Sequence, residues 1–167
     1  MHLNDNNDYI CGKKIVMAQS LSKILLHAVW HIKTTSPEIQ KEDRDELYGY
    51  MFGVLETIGC TPICINGVGN HVHLLFALSK TLSIASVVEK VKTSSNKWLK
   101  TRGRYYSDFS WQNGYGVFSV SESVSPVTKR YIERQEQHHA QIDFHDEYLQ
   151  LLQNNNIPYD INHLFHD

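Results

Sequence analysis

The chain has 167 residues, 41% hydrophobic and 20% charged, with a formal net charge of −2. This admits one domain with a core of its own and excludes a second full domain, a disordered chain and a collagen-like one. No apolar run approaches the roughly 20 residues that cross a bilayer, and residues 1–16 are too polar for a signal peptide, so a cytoplasmic protein without a membrane partner is expected.

Residues 1–16 show neither periodicity nor helix caps and are expected to be a disordered or dispensable extension of a single domain spanning 17–167. Leu26, Ala28, Trp30 and Ile32 alternate with His27, Val29, His31 and Lys33, the period of a half-buried strand. Ser36-Pro37 reads as an N-cap and first helical position, and Leu47, Tyr50, Met51, Val54, Leu55 and Ile58 recur at three and four before Gly59, which predicts a first helix. Residues 60–66 and 71–77 are short apolar runs joined by Gly67-Val68-Gly69-Asn70, a hairpin composition. A Ser83-capped pattern through Ile84, Val87, Val88, Val91 and Trp98 predicts a second helix, Tyr115–Val120 a fourth strand, and Ser125-Pro126 a third helix to about His139. Phe144, Tyr148, Leu149 and Leu152 predict a last helix. Strand, helix, strand, strand, helix, strand is the α+β order of ferredoxin-like (RRM-like) domains: an antiparallel sheet with helices on one face, here with an added C-terminal helical segment. The other face is expected to stay open. Cys11, Cys60 and Cys64 lack C-x-x-C spacing and read as buried thiols.

The sharpest chemical signal is His71-Val72-His73, because period two puts both imidazoles on one strand face, half of a metal site. On the third helix Tyr131 and Gln135 stand four apart and share a face. A divalent metal that polarises a phosphate makes attack by a phenol feasible, and an amide oxygen is a suitable hard ligand for Mg²⁺ or Mn²⁺. Between residues 80 and 134 stand ten lysines and arginines against four acids. Such a run offers phosphate contacts or a solvated helix face. His27 and His31 share the strand-one face and read as substrate-facing or partly buried side chains. Tyr105, Tyr106 and Trp111 either stack bases or pack against the helices.

The chain resembles the HUH single-tyrosine transposases of small bacterial insertion sequences and their REP-associated relatives. The resemblance runs from Met17 onward: MAQSLSKILLHAVWHIKTTSP, GNHVHLLFAL, VVEKVKTSSNKWLKTRG, WQNGYGVFSVSES, YIERQEQHH and FHDEYLQLLQNNNIPYD, in that order. It implies a metal-dependent transposase that binds DNA hairpins and cleaves and rejoins single-stranded DNA through a 5'-phosphotyrosine. His71, His73 and Gln135 stand at the metal-ligand positions and Tyr131 at the nucleophile. Lys90, Lys92, Lys97, Lys100, Arg102 and Arg104 are candidate DNA contacts. The resemblance also implies a homodimer with shared active sites, in which Tyr131 and Gln135 face the partner's histidines; a third helix with only Val127 and Ile132 as apolar anchors is compatible with such an exchange. The alternatives are a domesticated hairpin-binding protein without productive transposition and a hydrolase acting through activated water. His138 and His139 have no role on this reading.

Overall fold

The computed structural model describes residues 20–165; the expected extension over 1–16, with Cys11, lies outside them. Strands β1 (Leu25–His31), β2 (Thr61–Gly67), β3 (His71–Ala77) and β4 (Gly116–Val120) form one antiparallel sheet in the order β2-β3-β1-β4. Helix α1 (Lys41–Thr57) joins β1 to β2, and α2 (Ile84–Thr101) joins β3 to β4, which is the ferredoxin-like order.

Alternation along the strands gives the sheet two chemically different faces. Leu26, Ala28 and Trp30 of β1 lie with Val72, Leu74 and Phe76 of β3 on one face. Leu47, Met51, Leu55, Val87, Val91 and Leu99 of α1 and α2 cover it, none more than 1% exposed. At about 1.5–3 kcal/mol per fully buried side chain, this layer is the main source of stability. Ser83 caps α2 as its sequence predicts, accepting a hydrogen bond from Ser86 N at 3.1 Å. Ser36 does not cap α1. Its hydroxyl donates to the Ser110 carbonyl and accepts from Ser110 N. The helix begins five residues later, where the Tyr106 hydroxyl accepts from Gln40 N and donates to Asp43.

The second face is not open, because the C-terminal helices lie on it. The helix expected to run to about His139 breaks at Arg134 (φ −101°, ψ 20°), giving α3 (Ser125–Glu133) and α4 (Gln135–His138). After them come α5 (Phe144–Asn154), capped by Asp143, and α6 (Ile161–Leu164). Phe144, Tyr148 and Leu152 of α5 pack on Val29 and Phe118. Gly116 makes this approach possible: a Cβ there would stand 2.8 Å from the Tyr148 ring. Helix α3 is pinned by Ile132, which packs with Cys64 and Leu75, and by the Asn66 side-chain amide, which donates to the carbonyls of Ile132 at 2.9 Å and Glu133 at 3.1 Å. Val127, expected as a second anchor, is 56% exposed beside a cleft. Cys60 and Cys64 are buried free thiols, and among the described residues no helix is long and apolar enough to cross a membrane.

Ile132→Ala removes the only buried apolar side chain of α3 and leaves a cavity against the sheet. We expect a loss of about 2–4 kcal/mol in urea denaturation; a loss below about 1 kcal/mol would show that Ile132 does not anchor the helix.

Candidate active site

The register of β1 against β3 sets Val29 opposite His73 and His31 opposite His71, so His27, His31, His71 and His73 share the second face. All four are buried. His27 is buried, as one of its two readings expects: its Nε2 lies 2.9 Å from His73 Nδ1, and burial, then the neighbouring His73, lower its pKa to about 3. His31 stands edge-on to the Phe144 ring. Burial and His73 likewise hold His71 well below the usual histidine range.

The C-terminal helices bring Tyr131, Gln135, His139 and Glu147 onto these imidazoles. Glu147, on α5 and 2% exposed, is the hub. Its Oε1 accepts hydrogen bonds from the Tyr131 hydroxyl and from the Gln135 amide, the latter at 3.0 Å. Its Oε2 lies 3.0 Å from His139 Nε2, 3.4 Å from His73 Nε2 and 3.5 Å from His71 Nε2. Gln135 Oε1 is 3.1 Å from His71 Nε2, and the Tyr131 ring stands perpendicular to His73 at 5.8 Å. His71, His73, Gln135 and Tyr131 therefore meet within one chain. The third helix, expected to be weakly anchored, is held on its own sheet by the Asn66 bonds and by Ile132.

Sequence reasoning missed Glu147 and gave His139 no role. The available signal was spacing: Glu147 falls three after Phe144 and beside Tyr148, on the face of α5 that must be buried. Burial alone would raise its pKa, but the contacts with His139, His73 and Tyr131 outweigh it and hold the carboxylate below its usual range. Burial and that carboxylate push the Tyr131 hydroxyl above the ordinary phenol range, so the phenol is neutral as it stands. His73 Nε2 is buried with no hydrogen-bond partner among the described residues. His71, His73, His139 and Glu147 each offer one ligand atom, all within 4.8 Å of one another. An orphaned imidazole nitrogen facing nitrogen and oxygen donors is a chemical fit for a divalent cation. Tyr131 also lines a cleft of about 600 Å³ with His27, Phe118, Val124, Val127 and Leu151, which gives its half-buried ring a solvent side.

A ferredoxin-like sheet whose H-x-H pair faces a helix-borne tyrosine defines an HUH single-tyrosine protein. The family model for IS200-like transposases matches residues 20–135, and the chain belongs to that family. The ISDra2 transposase TnpA of Deinococcus radiodurans is 23% identical over 114 residues, covering 65% of this chain and 81% of the relative. Two solved structures share the fold. One, a Deinococcus radiodurans R1 protein described as a transposase, has a TM-score of 0.55 at 20% identity and covers 73% of this chain and 98% of its own. The other, a REP-associated tyrosine transposase bound to a REP hairpin, has a TM-score of 0.55 at 9% identity and covers 78% of this chain and 76% of its own.

The six basic residues expected at DNA lie on α2 and just after it, across the sheet from the histidines. Lys90, Lys97, Lys100 and Arg104 are exposed. Arg102 pairs with Asp43 and Glu46 and lies over the Trp98 ring. Lys92 is turned inward: its ammonium donates to the carbonyls of Gln112 at 2.7 Å and Gly114 at 2.6 Å and lies near the Trp30 and Tyr115 rings. Tyr106 and Trp111 are core residues, and Tyr105 remains half exposed. Lys92→Met should destabilise the fold by about 1–3 kcal/mol in chemical denaturation, because both carbonyls lose a charged donor. An unchanged midpoint would mean that Lys92 is free to serve elsewhere.

Proposed function

We propose that the protein is a metal-dependent transposase of single-stranded DNA that recognises imperfect DNA hairpins and cuts and rejoins strands through a covalent 5'-phosphotyrosine at Tyr131. The observation that supports this reading is the position of Tyr131, whose ring borders a cleft and stands perpendicular to His73 of the H-x-H pair. In the reaction the Tyr131 oxygen forms a bond to phosphorus while the bond to the 3' oxygen breaks, and the departing strand leaves as a 3'-hydroxyl. The phosphodiester energy stays in the protein–DNA link, so the reverse attack rejoins strands without ATP. A Mg²⁺ or Mn²⁺ ion held by His71, His73 and Gln135 would polarise the scissile phosphate and ease ionisation of a phenol whose pKa lies above the ordinary range.

The hairpin is assigned by analogy with the REP-bound relative, and exposed Lys90, Lys97, Lys100, Arg102 and Arg104 are its proposed backbone contacts. Lys92 is dropped from that set. We propose residues 17–167 as the functional domain, acting in the cytoplasm. A hairpin-binding protein without catalysis has no use for a phenol and a ligand set assembled at one point, which favours the enzyme.

Tyr131→Phe is expected to bind the hairpin with the wild-type dissociation constant and to form no covalent adduct on denaturing gels. Full cleavage by this variant would transfer the reaction to activated water. Chelation should stop cleavage, and Mg²⁺ or Mn²⁺ should restore it; full activity in chelator would end the metal-dependent reading. The homodimer with shared sites is open to complementation between His71→Ala/His73→Ala protein and Tyr131→Phe protein. With the centre complete in one chain, mixing is expected to leave cleavage at background, and recovery after verified subunit exchange would establish shared sites.

A further inference from the structure

We infer that His139 and Glu147 are themselves ligands of the divalent cation, joining His71 and His73 in a centre of three imidazoles and one carboxylate. The inference rests on the metal-dependent reading above and revises its ligand set, putting two residues which that reading does not use in place of the Gln135 amide. Its basis is the direction of the ring nitrogens. His71 Nδ1 lies 2.7 Å from Asn70 Oδ1, His139 Nδ1 lies 2.8 Å from the Ile142 carbonyl, and His73 Nδ1 lies 2.9 Å from His27 Nε2. A carbonyl oxygen only accepts, so His71 and His139 carry hydrogen on Nδ1, and in the neutral rings Nε2 holds a lone pair. This is how metal-binding histidines are held, with the second nitrogen donating to an outer partner that fixes the ring.

The Nε2 atoms then face acceptors. His139 Nε2 is 3.0 Å from Gln135 Oε1 and 3.0 Å from Glu147 Oε2. His71 Nε2 is 3.1 Å from that amide oxygen and 3.5 Å from that carboxylate oxygen. His73 Nε2, at 3.4 Å from the same Oε2, has no hydrogen-bond partner among the described residues. Acceptors converging on one point repel unless a positive charge stands between them. One proton satisfies one pair, whereas a divalent cation faces all four atoms at once. The spacing is of the right order: bonds of about 2.1 Å place adjacent ligands of an octahedral site about 3.0 Å apart, and Glu147 Oε2 stands 3.0 to 3.5 Å from three imidazole nitrogens.

The two carboxylate oxygens divide the work. Oε2 belongs to the cation, while Oε1 keeps the Tyr131 hydroxyl and the Gln135 amide in place. Glu147 adds the negative charge that His71, His73 and Gln135 lack, and Gln135 remains a nearby oxygen donor. Because Glu147 sits on α5, binding of the ion and docking of that helix are linked.

The test is binding, without DNA or turnover. Mn²⁺ is titrated into the chelator-stripped full chain and free Mn²⁺ is read by its EPR signal. Glu147→Gln and His139→Ala should each weaken binding by at least about tenfold, and Gln135→Ala by clearly less. A second measurement needs no variant: pulsed EPR of Cu²⁺ on the wild type should report three imidazole nitrogens. Wild-type affinity in Glu147→Gln, or two imidazoles, overturns the inference and leaves the His71, His73 and Gln135 site standing. Failure of the wild type to bind Mn²⁺ at all would overturn both.

Discussion

The pairing of β1 with β3 is the constraint on which the rest of the molecule depends. Its register places Val29 beside His73 and His31 beside His71, and the strand period then sends Leu26, Ala28, Trp30, Val72, Leu74 and Phe76 to the opposite side. A slip of one residue would carry the imidazoles into the apolar layer and the apolar side chains out of it. The sheet is thus a partition, with cohesion on one side and chemistry on the other. The burial of α1 and α2 holds the register that the polar side requires.

On the polar side a single carboxylate organises its neighbours. A buried, unpaired carboxylate is among the least favourable groups a protein can hold, and Glu147 is tolerated because both of its oxygens are addressed. That compensation has a geometric effect. The direction of the Tyr131 hydroxyl and the orientation of the Gln135 amide follow from it, so a phenol on a short helix acquires a defined position over the sheet. Gly116 contributes from the other strand edge, since only a residue without a side chain lets Tyr148, and with it α5, come so close.

The sheet and its two covering helices are legible in the sequence because their signals are local and periodic. His71 and His73 are legible for the same reason, and the resemblance to known transposases adds Tyr131 and Gln135. What the sequence hides is decided by contacts between distant segments. Ser36 has the look of an N-cap, yet its hydroxyl is taken by Ser110, 74 positions away. The break at Arg134 has no glycine or proline to announce it. A strand face rich in histidine looks made for solvent until the C-terminal helices are placed on it. Glu147 looks like one more solvated acid, and only its spacing from Phe144 and Tyr148 marks it as buried.

The polar centre is drawn from segments made at different times: β3, then α3, then the turn after α4, then α5. While the chain is being synthesised, His71 and His73 exist on a bare sheet face before Tyr131 is in place, and the carboxylate that fixes the phenol arrives last. A nascent or truncated polypeptide that ends short of Phe144 therefore carries the imidazoles and the phenol without their common partner. Ordered geometry at the polar centre belongs to the folded chain alone, and α5, made after the sheet and the tyrosine helix, is the element that confers it.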